Sequence, residues 1–112
     1  MKRIKINELP EQEVSHNANI HKQVILTNGE VGAIINYARA VFPSGEKAAA
    51  HRHEDLVEVF TVESGQGEIT VNSVTYDFSA GLTVVVEPGE SHEIVNTGHS
   101  ELVITYFSVL VD

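Results

Sequence analysis

His51, His53, Glu58 and His92 are side chains of the types that coordinate transition metals, and their spacing invites that chemistry. His51-Arg52-His53 sets two imidazoles at i and i+2, which an extended strand directs to one face. Glu54-Asp55-Leu56-Val57 then suits a hairpin loop that would return Glu58 beside them on a neighbouring strand. Glu58 stands among Val57, Val59 and Phe60, where an inward carboxylate is costly unless paired or bound to a cation. The alternative is that strand parity turns it to solvent. Three imidazole nitrogens and one carboxylate oxygen would leave open positions on an octahedral ion for substrate, water or dioxygen. Such a set needs neutral imidazoles, so metal binding is expected to fail below about pH 6.5.

The elements that must position these groups read as short β-prone runs broken by Gly, Asn, Ser and Pro, with no convincing helical period. An all-β domain follows. His21 to Thr27 is closed by the hairpin signal Asn28-Gly29, and the chain resumes from Val31 to Phe42. Leu56 to Val62 and Glu68 to Val71 face each other across Ser64-Gly65-Gln66-Gly67 as an apparent hairpin, and Asn72-Ser73 makes the next reversal. Val74 to Phe78, Leu82 to Val86, Ser91 to Asn96 and Glu101 to Val111 complete a series that favours a sandwich or barrel. Residues 1–20 are an N-terminal extension or an edge strand, of this chain or of a partner subunit.

The whole chain narrows the chemistry. At 112 residues it is expected to be a single domain, 1–112, able to bury roughly two-thirds of its unfolded surface. Cysteine is absent, which excludes disulfides, thiol nucleophiles and zinc ribbons and restricts a metal site to histidine and carboxylate. A net charge of −9 argues against a nucleic-acid partner. No stretch reaches the ~18 apolar residues of a membrane span and the N-terminus lacks a signal core, so no membrane partner and a cytoplasmic location are expected.

With these residues in view, the chain resembles the cupin family. Gly45, EKAAA, His51-Arg52-His53, EDLV, Glu58, VFTVES and Gly65 match every position of its first motif. Gly81, LTVVV, Glu87-Pro88-Gly89, ES, His92, EIV and Asn96 match the second, with Glu87 where the family has proline. Pro88 still restricts Glu87 to extended geometry, and Gly89 keeps the turn permissive. The resemblance implies a small antiparallel jelly-roll β-barrel over residues 38–110, with one divalent transition metal held by His51, His53, Glu58 and His92. Iron or manganese is favoured, with nickel, cobalt, copper or zinc as alternatives, while Gly45, Gly65, Gly81, Gly89 and Asn96 serve as turn or shape residues. It also implies a homodimer.

The expected function is a metal-dependent enzyme, oxygenase-like in the manner of quercetinase, acting on a small organic molecule with Glu58 as a catalytic base. A cupin isomerase or lyase and a non-catalytic metabolite- or sugar-binding module are the alternatives. Among secondary candidates, Arg39 could hold a substrate carboxylate, Tyr37 shares its parity, and either Tyr106 or Phe107 should line the cavity. Glu90 could orient His92, while His16, His21 and His99 read as surface histidines, His99 being nearest the barrel mouth.

Overall fold

A computed structural model describes residues 1–111; Asp112, the last residue of the expected domain, lies outside the described residues. After a 3-10 turn at Ile6–Glu8, the strands are β1 (Gln12–Val14), β2 (Asn17–Leu26), β3 (Ile34–Phe42), β4 (Lys47–His51) and β5 (Leu56–Ser64). β6 (Gly67–Val71), β7 (Val74–Asp77), β8 (Thr83–Val86), β9 (His92–Asn96) and β10 (Leu102–Leu110) follow. They form an antiparallel jelly roll of two facing sheets, ordered β1-β2-β3-β10-β5-β8 and β4-β9-β6-β7. Among the described residues no helix is long and apolar enough to cross a membrane.

Period-2 alternation builds the interior. Ala38, Ala40 and Phe42 on β3, Phe60 and Val62 on β5, Ile94 on β9 and Leu102 and Ile104 on β10 are all buried. All of these but Ala38 meet Ile20, Ile69, Phe78 and Val86 in one cluster between the sheets. One seam is joined by Asn17, whose Nδ2 donates to the Lys47 carbonyl at 2.8 Å and ties β2 to β4.

Two expected hairpins are corrected. β5 pairs with β10 and β8, whereas β6 pairs with β7 and β9, so Gly65-Gln66-Gly67 carries the chain from one sheet to the other. Glycine is required there: Gly65 has φ +95 and a Cβ on it would collide with the Glu101 carbonyl, while one on Gly67 would lie 2.7 Å from the Val95 oxygen. Likewise β4 and β5 lie in opposite sheets, so residues 52–55 form a crossing and no hairpin. The reversal at Asn72-Ser73 is a true hairpin, with φ of 48 and 70 at its two central residues, as a tight primed turn demands.

Within the first twenty residues, β1 pairs with β2 of the same chain at the sheet edge, and β2 begins at Asn17, earlier than the sequence suggests. Asn28-Gly29 sits in a longer connection, where the Glu30 carboxylate accepts from the Thr27 amide at 2.6 Å. The Lys2 ammonium, with Thr27, holds that carboxyl at about 2.

Candidate metal centre

Glu58 is the first member of the inward series Glu58, Phe60, Val62 on β5, set in register between Ser108 of β10 and Val86 of β8. His92 opens the inward series His92, Ile94, Asn96 on β9. His51 ends β4 and pairs with His92, but only because of an irregularity in the ladder. Ala48 opposes Ile94, and three steps later His51 opposes His92, two steps back along β9. The extra residue is a β-bulge, and without it strand parity would send His51 to the outer face.

His53 lies beyond the end of β4, so the two imidazoles of His-x-His do not share a strand face. Its backbone is fixed by the second motif: the Gly89 amide, at φ 82 in the Pro88-Gly89 turn, donates to the His53 carbonyl at 2.7 Å. The ring then stands edge-on to His51, centroids 5.1 Å apart.

All three imidazoles point Nε2 at one atom. Glu58 Oε1 is 3.0 Å from His92 Nε2, 3.5 Å from His53 Nε2 and 4.0 Å from His51 Nε2. Backbone carbonyls set the tautomers, since a carbonyl only accepts: His51 Nδ1 donates to Ala49 O at 3.1 Å and His92 Nδ1 to Glu90 O at 3.3 Å. Each neutral ring therefore offers a lone pair at Nε2. His92, 2% exposed, and Glu58, 7% exposed, thus bring two acceptor atoms together, and neither Glu58 Oε1 nor His92 Nε2 has a hydrogen-bond partner among the described residues.

Two buried lone pairs 3.0 Å apart repel unless a cation lies against both. That separation is the edge expected for adjacent ligands each about 2.1 Å from one ion. His51, Glu58 and His92 offer one ligand atom each within 4.8 Å of one another, a group that could hold a metal ion. His53 stands slightly outside it and faces Glu58 alone at close range. Burial raises the Glu58 carboxyl, but the three imidazoles, His92 foremost, outweigh that and hold it below the usual carboxylate range. This lowering arises where His92 is protonated and donates to Glu58, with the charges of His92, His53 and His51 adding to it. Ser108 Oγ donates a long bond of 3.4 Å to Glu58 Oε2.

These groups open onto a cavity of about 590 Å³, a size ordinary for small-molecule sites. Phe42, Phe60, Ile94, Ile104 and Tyr106 make its apolar wall. Tyr106 stacks on Phe60 at 5.6 Å, and burial, aided by the Glu58 charge, raises its phenol above the ordinary value against a hydrogen bond from Asn36. The alternation expected of the last strand is met, since Phe107 packs outside against Tyr37 at 6.4 Å.

Arg39 turns away from the cavity and its Nε pairs with Glu63 at 2.8 Å on the outer face, which removes it as a substrate clamp. Glu90 supplies His92 with its backbone carbonyl, while its carboxylate accepts from the Glu87 amide. His21 is exposed near Glu11, and His99 is exposed away from the cavity. His16, read as a surface residue, is exposed but lines the cavity with Ser15 and Lys22. The signal in the sequence for Lys22 is its strand parity with the core residue Ile20. Nothing local marks Ser108, whose relevance comes from its register with Glu58 across β10.

Comparison with known proteins agrees with this architecture. The family model described as cupin domain matches residues 38–109. An uncharacterized protein of Methanocaldococcus jannaschii is 25% identical over 91 residues, covering 81% of this chain and 73% of that protein. The oxalate-binding protein of Thermotoga maritima is 33% identical over 66 residues, covering 59% of this chain and 54% of that protein. Among solved structures, a predicted oxalate decarboxylase from Thermotoga maritima superposes with a TM-score of 0.92 at 23% identity, covering 98% of this chain and all (100%) of that one. A cupin-superfamily sugar phosphate isomerase from Silicibacter pomeroyi gives 0.83 at 12% identity, covering 96% and 75%. At these identities the structural likenesses speak for the fold alone. With both motifs in place and the family model spanning most of its length, the chain belongs to the cupin family.

Proposed function

We propose that His51, His53, Glu58 and His92 hold one divalent transition metal, iron or manganese before others, and that the protein uses it on a small organic molecule admitted to the cavity, with oxygenation as the reaction class. The observation that carries this reading is the pair of buried, unpartnered acceptor atoms, Glu58 Oε1 and His92 Nε2, 3.0 Å apart at the cavity wall. When bound, an ion of this class supplies Lewis acidity or, if redox-active, activation of dioxygen. The chain's own residues do the rest. Ala49 and Glu90 carbonyls hold the His51 and His92 rings with Nε2 free, Ser108 steadies Oε2 of Glu58, Oε1 faces the three Nε2 atoms as the ligand atom, and the carboxylate takes a substrate proton only while it is free of the ion. Phe60 and Tyr106 form the apolar wall of the cavity onto which that carboxylate opens.

The test begins with elemental analysis of protein purified without added metal. About one ion per chain is expected, falling to background in His51→Ala and His92→Ala. Dioxygen uptake across a panel of small enols, diketones and hydroxy acids then reads the reaction class. Unchanged metal content in both variants overturns the site, and metal-loaded protein that consumes no dioxygen with any compound overturns oxygenation. A second reading, binding without turnover, is favoured by the 33% identical relative, an oxalate-binding protein. It expects saturable, metal-dependent oxalate binding with no chemical change.

A further inference from the structure

Lys22 is the feature of the cavity that the metal site does not use. On β2 it shares the inward face with Ile20, which is fully buried, and in register it opposes Ala40, another residue of the cavity wall. Strand lysines ordinarily turn outward, so an inward one needs a reason. It is the one lysine or arginine among the residues lining the cavity, and among the described residues it forms no salt bridge. A protein of net charge −9 offers acidic groups readily, yet among the described residues Glu58 is the sole acidic side chain in that lining.

We infer that Lys22 is a specificity-determining residue that binds the anionic end of the ligand, and that the natural ligand is an organic anion with an oxygen-donor head for the metal, an apolar body and a carboxylate or phosphate at its far end. This rests on the proposed metal site, because a divalent ion set against one carboxylate makes the lining net positive together with Lys22. Register supplies the spacing. Glu58 opposes Ser108 on β10, whereas Lys22 opposes Ala40, which opposes Ile104. The two levels differ by four residues of β10, about 13 Å along the strands, and β2 stands three strands from β5 in the sheet, so the separation exceeds that rise before the reach of the lysine stem is subtracted. Between the two levels stand Phe60 and Tyr106, opposed across β5 and β10, and Ala40 and Ile104 lie at the level of Lys22, so the wall offers contact to hydrocarbon apart from the Tyr106 hydroxyl. A two-carbon dianion held wholly at the metal would leave Lys22 unanswered.

The probes are linear dicarboxylates from oxalate to suberate, the monoamide of each, and phosphonocarboxylates of matching length, titrated calorimetrically into manganese-loaded protein. Metal content is measured in the same samples, so loss of the metal reading shows separately as protein that binds no manganese. Affinity is expected to peak at a chain longer than oxalate. Lys22→Met should weaken that best anion about tenfold or more and leave its monoamide unchanged, with Lys22→Arg restoring most of the difference. The matched carboxylate and phosphonate arms identify the preferred anionic group. The proposal is overturned if oxalate binds best, if Lys22→Met weakens acid and amide alike, or if manganese-loaded wild type binds no anion more tightly than its amide.

Discussion

His92 and Asn96 lie on the same face of β9 four residues apart and are almost equally buried, at 2% and 1% exposure. Their surroundings differ. Asn96 Nδ2 donates to the carbonyls of Phe42 and Ser100 at 2.9 and 2.8 Å, and its Oδ1 accepts from the Gly98 amide at 2.9 Å. Phe78, Leu102 and Ile69 pack that half of the interior, each with 0% exposure. His92 faces the other half, where Nε2 and Glu58 Oε1 have no partner and the interior opens into the cavity. One strand thus carries a polar group that holds the fold together and a polar group whose burial costs stability until a ligand meets it. Unsatisfied burial within a satisfied framework is the mark of a binding site.

This contrast can be broken by substitution. Glu58→Met should abolish metal uptake, from about one ion per chain to background by mass spectrometry, yet raise the unfolding free energy of metal-free protein by about 1–3 kcal/mol. A fall in metal-free stability would show that Glu58 serves the fold after all. Phe78→Ala, in the packed half, should cost about 3–5 kcal/mol in urea denaturation while the folded fraction still takes up its metal. Asn96→Ala should follow at about 2–3 kcal/mol, since it strands two carbonyls and an amide.

Tyr106 stands at the border of the two halves. Its phenol is raised in the folded chain, so the stability it contributes is complete below the unfolded tyrosine value near ~10 and is lost as pH rises from there through the folded value. Tyr106→Phe should remove that alkaline loss, measured as a flatter stability profile above about pH 10. The smallest effect belongs to the surface: Lys2→Ala should let the Glu30 carboxyl rise from about 2 toward the ordinary value, read by NMR titration.

The sequence shows the two halves unequally. Strand parity and turn residues reveal the β class, and the motif spacing brings His51, His53, Glu58 and His92 forward before any coordinates. Pairing is a different matter. Gly65-Gln66-Gly67 has the composition of a hairpin, and only the approach of the Glu101 and Val95 backbones, distant in sequence, makes it a crossing between sheets. The bulge before His51 is equally hidden, because Ala48-Ala49-Ala50 carries no local signal for an extra residue. Arg39 faces outward and Lys22 inward for the same reason: parity can be counted, but the face that points inward is fixed by neighbours such as Ile20 and Ala40.

Ala48, Ala49 and Ala50 all line the cavity on the strand that delivers His51. The space beside the metal-ligating side chains is therefore partly made of side chains that stop at Cβ. Such a volume can be retuned by single substitutions that leave the histidines and the carboxylate in place. Ligand size in this chain is accordingly an evolvable trait, separable from the chemistry at Glu58 and open to selection one alanine at a time.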